Sequence, residues 1–183
     1  MTWQATRPAQ TEVGQRCFIA LGANLGDPVA TVKAAILALR GLPGTEFIAA
    51  SSLYRTAPVG LKHQPDFINA VVELIAVSPA PALCVPAGTF LESLFEIEAR
   101  FGRQRSVKNA PRTLDLDLLL YGDELSDDPQ LTLPHPRLHE RAFVLAPLAE
   151  IAPRLTIPGR GSVADLLLRC ADQQIEKILP QVA

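Results

Sequence analysis

Pro111-Arg112-Thr113-Leu114-Asp115-Leu116-Asp117-Leu118-Leu119-Leu120-Tyr121 reads as a strand with two carboxylates set into an otherwise apolar run. Strand side chains alternate between faces, so Asp115 and Asp117 share one face while Leu114, Leu116 and Leu118 take the other. Two residues along a strand span roughly 6.5 Å, a separation from which both carboxylates can reach a shared pair of cations. Asp is disfavoured in strands, and two like charges on one face repel unless something positive lies between them. Mg²⁺ suits such a pair, because it takes one or two carboxylates and completes its shell with substrate phosphates and water. The alternative is a half-exposed strand carrying two solvated acids.

The residues before the strand favour the metal. Between Glu98 and Asp115 there is no acid, yet Arg100, Arg103, Arg105, Lys108 and Arg112 all fall there. The chain carries a formal net charge of −2, so this is a local basic patch and not a general bias. Gly102, Ser106, Asn109 and Pro111 make the segment a loop. Charged loops are often merely solvated, but arginine forks suit phosphate oxygens. A basic loop running into a carboxylate pair points to a metal-bound polyphosphate.

At 183 residues and 48% apolar composition the chain has the material for one domain with a sizeable core. That domain is expected over 16–183, preceded by a polar, flexible tail over 1–15. The near-balanced charge argues against a nucleic-acid partner. No apolar run approaches the roughly 18 residues of a membrane span, so no membrane partner is expected. Cys17, Cys84 and Cys170 are odd in number and widely spaced, and read as free thiols in a reducing compartment. A cytoplasmic monomer is the expectation.

Residues 17–22 read as a buried strand. Asp27 and Pro28 supply an N-cap and first-turn proline for a helix over 28–40, with Val29, Val32, Ile36 and Leu39 at helical spacing and Gly41 ending it. A strand over 45–54, a turn-rich loop over 55–66, a strand over 67–77 and a proline-rich connector over 78–88 follow. A helix over 89–101 carries Leu91, Leu94, Phe95 and Phe101 on one stripe. Glu98 falls on that stripe too, and either pairs with a loop arginine or sits at the stripe's exposed edge. After the carboxylate strand come an acidic turn over 123–128, a short strand over 131–133, and helices over 137–148 and 163–170. The order βαββαβ, then further α, predicts an α+β sandwich of the ferredoxin-like kind, a largely antiparallel sheet covered by helices.

Gly22-Ala23-Asn24-Leu25-Gly26 joins a strand to a helix but has neither dinucleotide nor P-loop spacing, and reads as a structural turn. His135, held between Pro134 and Pro136, is either a structural histidine or, with Arg141 on the following helix, part of a second cation set that would face the first across a polyphosphate.

Four blocks in this order resemble the 6-hydroxymethyl-7,8-dihydropterin pyrophosphokinase family. They are Ala20-Leu-Gly-Ala-Asn-Leu-Gly26; Ser51-Ser-Leu-Tyr-Arg-Thr-Ala-Pro-Val-Gly60 with Gln64-Pro-Asp-Phe-Ile-Asn69; Gly102-Arg-Gln-Arg105 with Pro111-Arg-Thr-Leu-Asp-Leu-Asp117; and Pro134-His-Pro-Arg-Leu-His-Glu-Arg-Ala-Phe143. The resemblance runs from about Phe18 to Pro158. It implies transfer of diphosphate from ATP, the co-substrate, to a pterin alcohol, with Asp115 and Asp117 holding two Mg²⁺ ions. It also implies that Arg103, Arg105 and Arg112 contact phosphate, opposed by His135 and Arg141, with Thr132 near the nucleoside. Phe67 and Phe143 match the aromatics that sandwich the pterin, Asn69 the amide that reads its polar edge, and Thr56, Ala57 and Val59 backbone contacts. The chain departs from the family pattern at Asn109 and Ala110, where an aromatic and a glycine are common. Two rivals compete with this reading. A catalytically dead binding module would be expected to lose Asp115, Asp117 or the arginines, all of which are present. An RNA-binding ferredoxin-like domain would want aromatics on its central strands, which here are aliphatic.

Overall fold

The computed structural model describes residues 14–58, 64–78, 85–103 and 112–179. Strand β1 (Gly14–Ala23) leads into helix α1 (Pro28–Arg40), where Asp27 Oδ1 accepts the Ala30 N–H at 2.9 Å and caps the first turn. Strands β2 (Thr45–Ala50), β3 (Leu53–Thr56) and β4 (Phe67–Val77) follow, then helix α2 (Ala87–Arg100) and strand β5 (Asp115–Tyr121). The expected single strand over 45–54 is therefore two, both pairing with β4. At the break Ser51 accepts the Val71 N–H on its hydroxyl at 3.0 Å while its own N–H donates to Val71 O at 2.9 Å. The side chain takes a ladder position that the backbone would otherwise fill, and the strand bends there.

Beyond β5, the expected acidic turn closes into a hairpin of β6 (Ser126–Asp128) and β7 (Leu131–Leu133). The expected helix over 137–148 is a 3₁₀ turn (Leu138–Glu140), an extended Arg141, and α3 (Ala142–Ile151). Strands β8 (Thr156–Ile157) and β9 (Gly161–Ser162) make a second hairpin before α4 (Val163–Arg169). An unanticipated strand, β10 (Glu176–Ile178), completes the edge of the main sheet beside β3. At the other ends of the elements, β1 starts two residues before the expected domain boundary, and Ala87 and Gly88 of the proline-rich connector already belong to α2.

The main sheet runs β10-β3-β4-β1-β5, with β2 also on β4, and every neighbour is antiparallel. With β2 and β3 counted as one broken strand, this is the ferredoxin-like βαββαβ order, carpeted on both faces. On one face Ile19, Leu21, Val72, Leu116 and Leu118 bury against Val32 and Leu39 of α1 and Leu94 and Ile97 of α2. On the other, Phe18, Val71 and Leu119 bury against Leu145 and Leu148 of α3 and Val163 and Leu166 of α4. Each such side chain is worth about 1.5–3 kcal/mol of transfer free energy, so both layers are held by burial. Helices α3 and α4 cover the second face only in part, and the uncovered part is the groove described next. Among the described residues no helix is long and apolar enough to cross a membrane.

Candidate active site

Register brings several of the sequence-predicted residues together. Across the sheet Tyr54 pairs with Asn69, Asn69 with Gly22, and Gly22 with Asp115. One row along, Ala20 lies between Val71 and Asp117. The central strand thus presents only Gly22 and Ala20 between an amide and two carboxylates. A Cβ on Gly22 would stand 3.4 Å from Asn69 Oδ1. This low floor opens a cavity of about 750 Å³. Thr56, Phe67 and Asn69 of β3 and β4, with Ala57, line it together with Arg112, Asp115 and Asp117 at β5, and Arg141 and Phe143 line it from the start of α3.

Asn69 is 5% exposed and donates through Nδ2 to Thr56 Oγ1 at 2.9 Å, which fixes the amide and turns its carbonyl oxygen to the groove floor. Asp115 is gripped by Arg112 and by Arg103, whose Nη1 lies 2.6 Å from Asp115 Oδ1. Arg103 also pairs with Glu98, which is buried on the α2 stripe and accepts the Leu116 N–H at 2.7 Å. Of the two expectations for Glu98, pairing is the one observed. Among the described residues the ion-pair partner of Asp117 is Arg141, with its Nη1 at 4.0 Å. Burial, then the facing Asp115, lifts the Asp117 carboxyl above the ordinary carboxylate range, against the pull of Arg141, Arg112 and Arg103.

The donor set fits Mg²⁺. Two hard oxygen ligands share a face, and the buried Asp115 Oδ1 has ionic contact but no well-formed hydrogen bond. Among the described residues no cluster of three or more His, Cys, Asp and Glu could hold a metal. Two carboxylates on one face suit an ion that keeps water and substrate phosphate in its shell.

His135 departs from its expected role as a cation. Burial first, and Arg141 second, push its pKa down to about 4. Its Nδ1 accepts the Arg137 N–H at 3.2 Å, so the proton of the neutral ring sits on Nε2. The positive partner of Arg141 on this side is Arg137, which lines the cavity and which the sequence reading does not single out. Thr132 lies in the β6–β7 hairpin, with its hydroxyl donating to Asp128 O at 3.0 Å, and is not part of the cavity lining. Arg105, Val59, Asn109 and Ala110 fall outside the described residues.

Asn24, in sequence no more than part of a turn, has a larger place in the structure. It is 2% exposed, donates to Gln64 Oε1 at 3.0 Å and Pro65 O at 3.2 Å, and accepts the Arg112 N–H at 2.9 Å. It fastens the β1–α1 turn to both walls of the groove. A polar residue at the end of a buried strand was the available signal. The other missed lining comes from the C-terminal segment, Gln173, Gln174 and Ile175.

A ferredoxin-like sandwich whose groove joins an aromatic-flanked amide to paired carboxylates among arginines defines a small-molecule phosphotransferase. The family described as 7,8-dihydro-6-hydroxymethylpterin-pyrophosphokinase (HPPK) matches residues 18–153. The chain belongs to this family. It is 42% identical over 164 residues to the 2-amino-4-hydroxy-6-hydroxymethyldihydropteridine pyrophosphokinase of Pseudomonas aeruginosa, covering 90% of this chain and 97% of that one. To the enzyme of the same name from Haemophilus influenzae it is 39% identical, covering 89% and 98%. A crystal structure of Plasmodium falciparum HPPK-DHPS with pteroate superposes with a TM-score of 0.63 at 13% identity, over 90% of this chain and 44% of that one. That likeness is one of fold, and the chain spans less than half the length of that structure.

Proposed function

We infer that this chain transfers diphosphate from ATP to the hydroxymethyl group of 6-hydroxymethyl-7,8-dihydropterin, giving AMP and the pterin diphosphate, a step in folate biosynthesis. The observation that carries the reading is one groove lined by Asn69, Phe67 and Phe143 together with Asp115 and Asp117. A flat heteroaromatic with a donor–acceptor edge suits both the stacking pair and the fixed amide.

In this reading Phe67 and Phe143 flank the pterin, the Asn69 carbonyl accepts from its polar edge, and Thr56, Ala57 and Val59 line it with backbone. Arg103, Arg105 and Arg112 bind the polyphosphate from one side. Arg141 binds it from the other, with His135 as a neutral donor through Nε2 and Thr132 toward the nucleoside. Asp115 and Asp117 would hold two Mg²⁺ ions, which when bound neutralise polyphosphate charge and make the β-phosphorus more open to attack. Arg103 and Arg112 exchange Asp115 for phosphate oxygens as the nucleotide enters. The hydroxymethyl oxygen then attacks the β-phosphorus in line, the bond to the AMP oxygen breaks, and the hydroxyl proton passes to Asp117 or solvent. Positioning and charge neutralisation carry most of such a transfer. We take the protein to be one domain over 16–183, a cytoplasmic monomer with two small substrates and neither nucleic acid nor membrane as partner.

The test is product analysis with ATP, the pterin alcohol and Mg²⁺. AMP and pterin diphosphate are expected in equal amounts and only when both substrates are present. ADP with a pterin monophosphate would overturn the reading.

A further inference from the structure

Among the described residues Arg141 is the cation that pairs with Asp117, and its place at the start of α3 leaves the peptides on either side of it to be held from elsewhere. It is extended (φ −121°, ψ 107°) between a 3₁₀ turn and α3, and α3 has no side-chain cap from its own N-terminal residues. The peptide groups on either side of Arg141 are instead held from a distance. The Gln173 side chain donates through Nε2 to Glu140 O at 2.8 Å and accepts the Ala142 N–H on Oε1 at 2.9 Å. One amide thereby pairs with the chain on both sides of Arg141, as a neighbouring strand would. The Arg141 carbonyl is fixed as well, accepting the N–H of Val144 at 3.1 Å and of Leu145 at 2.9 Å. With its backbone held, Arg141 directs its guanidinium over the Phe143 ring, 5.5 Å from the centroid, and to 4.0 Å from Asp117.

Gln173 is itself anchored on both sides. Its N–H donates to Cys170 O at 3.0 Å, just after α4, whose Val163 and Leu166 are buried in the second core. Three residues later β10 joins the sheet, pairing Glu176 with Arg55 and Lys177 with Tyr54, and Lys177 bonds Glu150 of α3 at 3.0 Å. The clamp is therefore tied to α4 on one side and to β10 on the other. Gln173 itself lies outside residues 18–153 that carry the family match, while Glu140 and Ala142 lie within them.

We propose that Gln173 is a positioning residue for the nucleotide: by clamping the peptides that flank Arg141 it holds that guanidinium where the polyphosphate of ATP is bound. This rests on Arg141 being a nucleotide contact, as read above. The C-terminal segment after α4 is then a working part of the phosphate site and not only an edge strand.

The experiment is a double-mutant cycle on the full chain. Affinity for a non-hydrolysable ATP analogue with Mg²⁺ is measured by calorimetry for wild type, Gln173→Ala, Arg141→Ala and the double variant, with unfolding midpoints alongside. Gln173→Ala is expected to weaken binding roughly five- to tenfold, the scale of one to two lost hydrogen bonds, and to cost nothing further once Arg141 is Ala. Gln173→Leu keeps the bulk, loses both hydrogen bonds and adds no charge, so the same loss is expected, and it replaces the alanine variant in the cycle if that one does not fold. An unchanged affinity in Gln173→Ala, or the same loss in both backgrounds, overturns the proposal. Arg141→Ala binding as tightly as wild type overturns instead the assignment of Arg141 to the nucleotide, and the proposal with it.

Discussion

Replacing Asp117 with Asn separates stability from catalysis at one atom. In the metal-free protein the Asp117 carboxyl is raised from 3.8 to about 6, by burial first and by Asp115 second. The folded state thus holds that proton more tightly than the unfolded state does. This group's contribution to stability is most favourable below pH 3.8 and is lost as the pH rises through about 6. Taken whole, the rise would correspond to roughly 3 kcal/mol. The Asp117 side chain is 38% exposed at the cavity, so solvent screening reduces this to about 1 kcal/mol. An amide at this position carries no charge to desolvate or repel, so Asp117→Asn should raise the unfolding midpoint by about 2–4 °C above pH 6.5 and by nothing near pH 4. Added Mg²⁺ with an ATP analogue should stabilise wild type by mass action and the variant much less, and turnover should vanish. The assay is thermal unfolding in chelator from pH 4 to 8, repeated with ligand. A variant less stable than wild type at pH 7.5, or a difference that does not change with pH, would refute the electrostatic account; near-normal Mg²⁺-dependent turnover would refute the metal assignment.

Asn69→Ala should weaken pterin binding by about 2–3 kcal/mol and leave the ATP analogue nearly unaffected; equal losses in calorimetry would make Asn69 a purely structural link to Thr56. Glu98→Gln should destabilise the fold by about 1–3 kcal/mol, since it strips the buried partner of Arg103 while keeping an acceptor for the Leu116 N–H; denaturant unfolding with no shift in midpoint would contradict the pairing. His135 should stay neutral down to about pH 5, with its proton on Nε2, and nitrogen chemical shifts reporting a titration near 6.5 would restore it as a cation.

Most of the site was legible because it depends on short-range periodicity. The i, i+2 spacing of Asp115 and Asp117 sets their common face, and the helical stripe through Leu91 and Leu94 carries Glu98, for which pairing with a loop arginine is one of two open expectations. The βαββαβ order likewise follows from local patterns of strand and helix. What was missed depends on partners far along the chain. The bend at Ser51 needs Val71, the charge of His135 needs the burial its loop acquires, and the extended Arg141 needs Gln173, which lies 31 residues beyond Ala142. Strand β10 is three residues, Glu-Lys-Ile, with too little apolar content to register as a strand; it exists because β3 offers an edge.

The two halves of the groove lie on one sheet face, and the spacing of the strands explains how one substrate can use both. Asn69 and Asp115 sit on opposite flanks of β1, in register through Gly22. Two inter-strand steps separate them, about 9.5 Å. In the proposed mode, a bicyclic ring held at Asn69 and carrying a one-carbon alcohol would span most of that distance and direct its oxygen toward the carboxylate side, where polyphosphate would be gathered. Only residues as small as Gly22 and Ala20 leave the ring room to lie across β1. Side chains of ordinary size there would close the floor and part the amide from the carboxylates, while the rest of the sheet kept its pairing. In the proposed binding mode, specificity for the ring and reactivity of the phosphate would be joined by two small residues on the central strand.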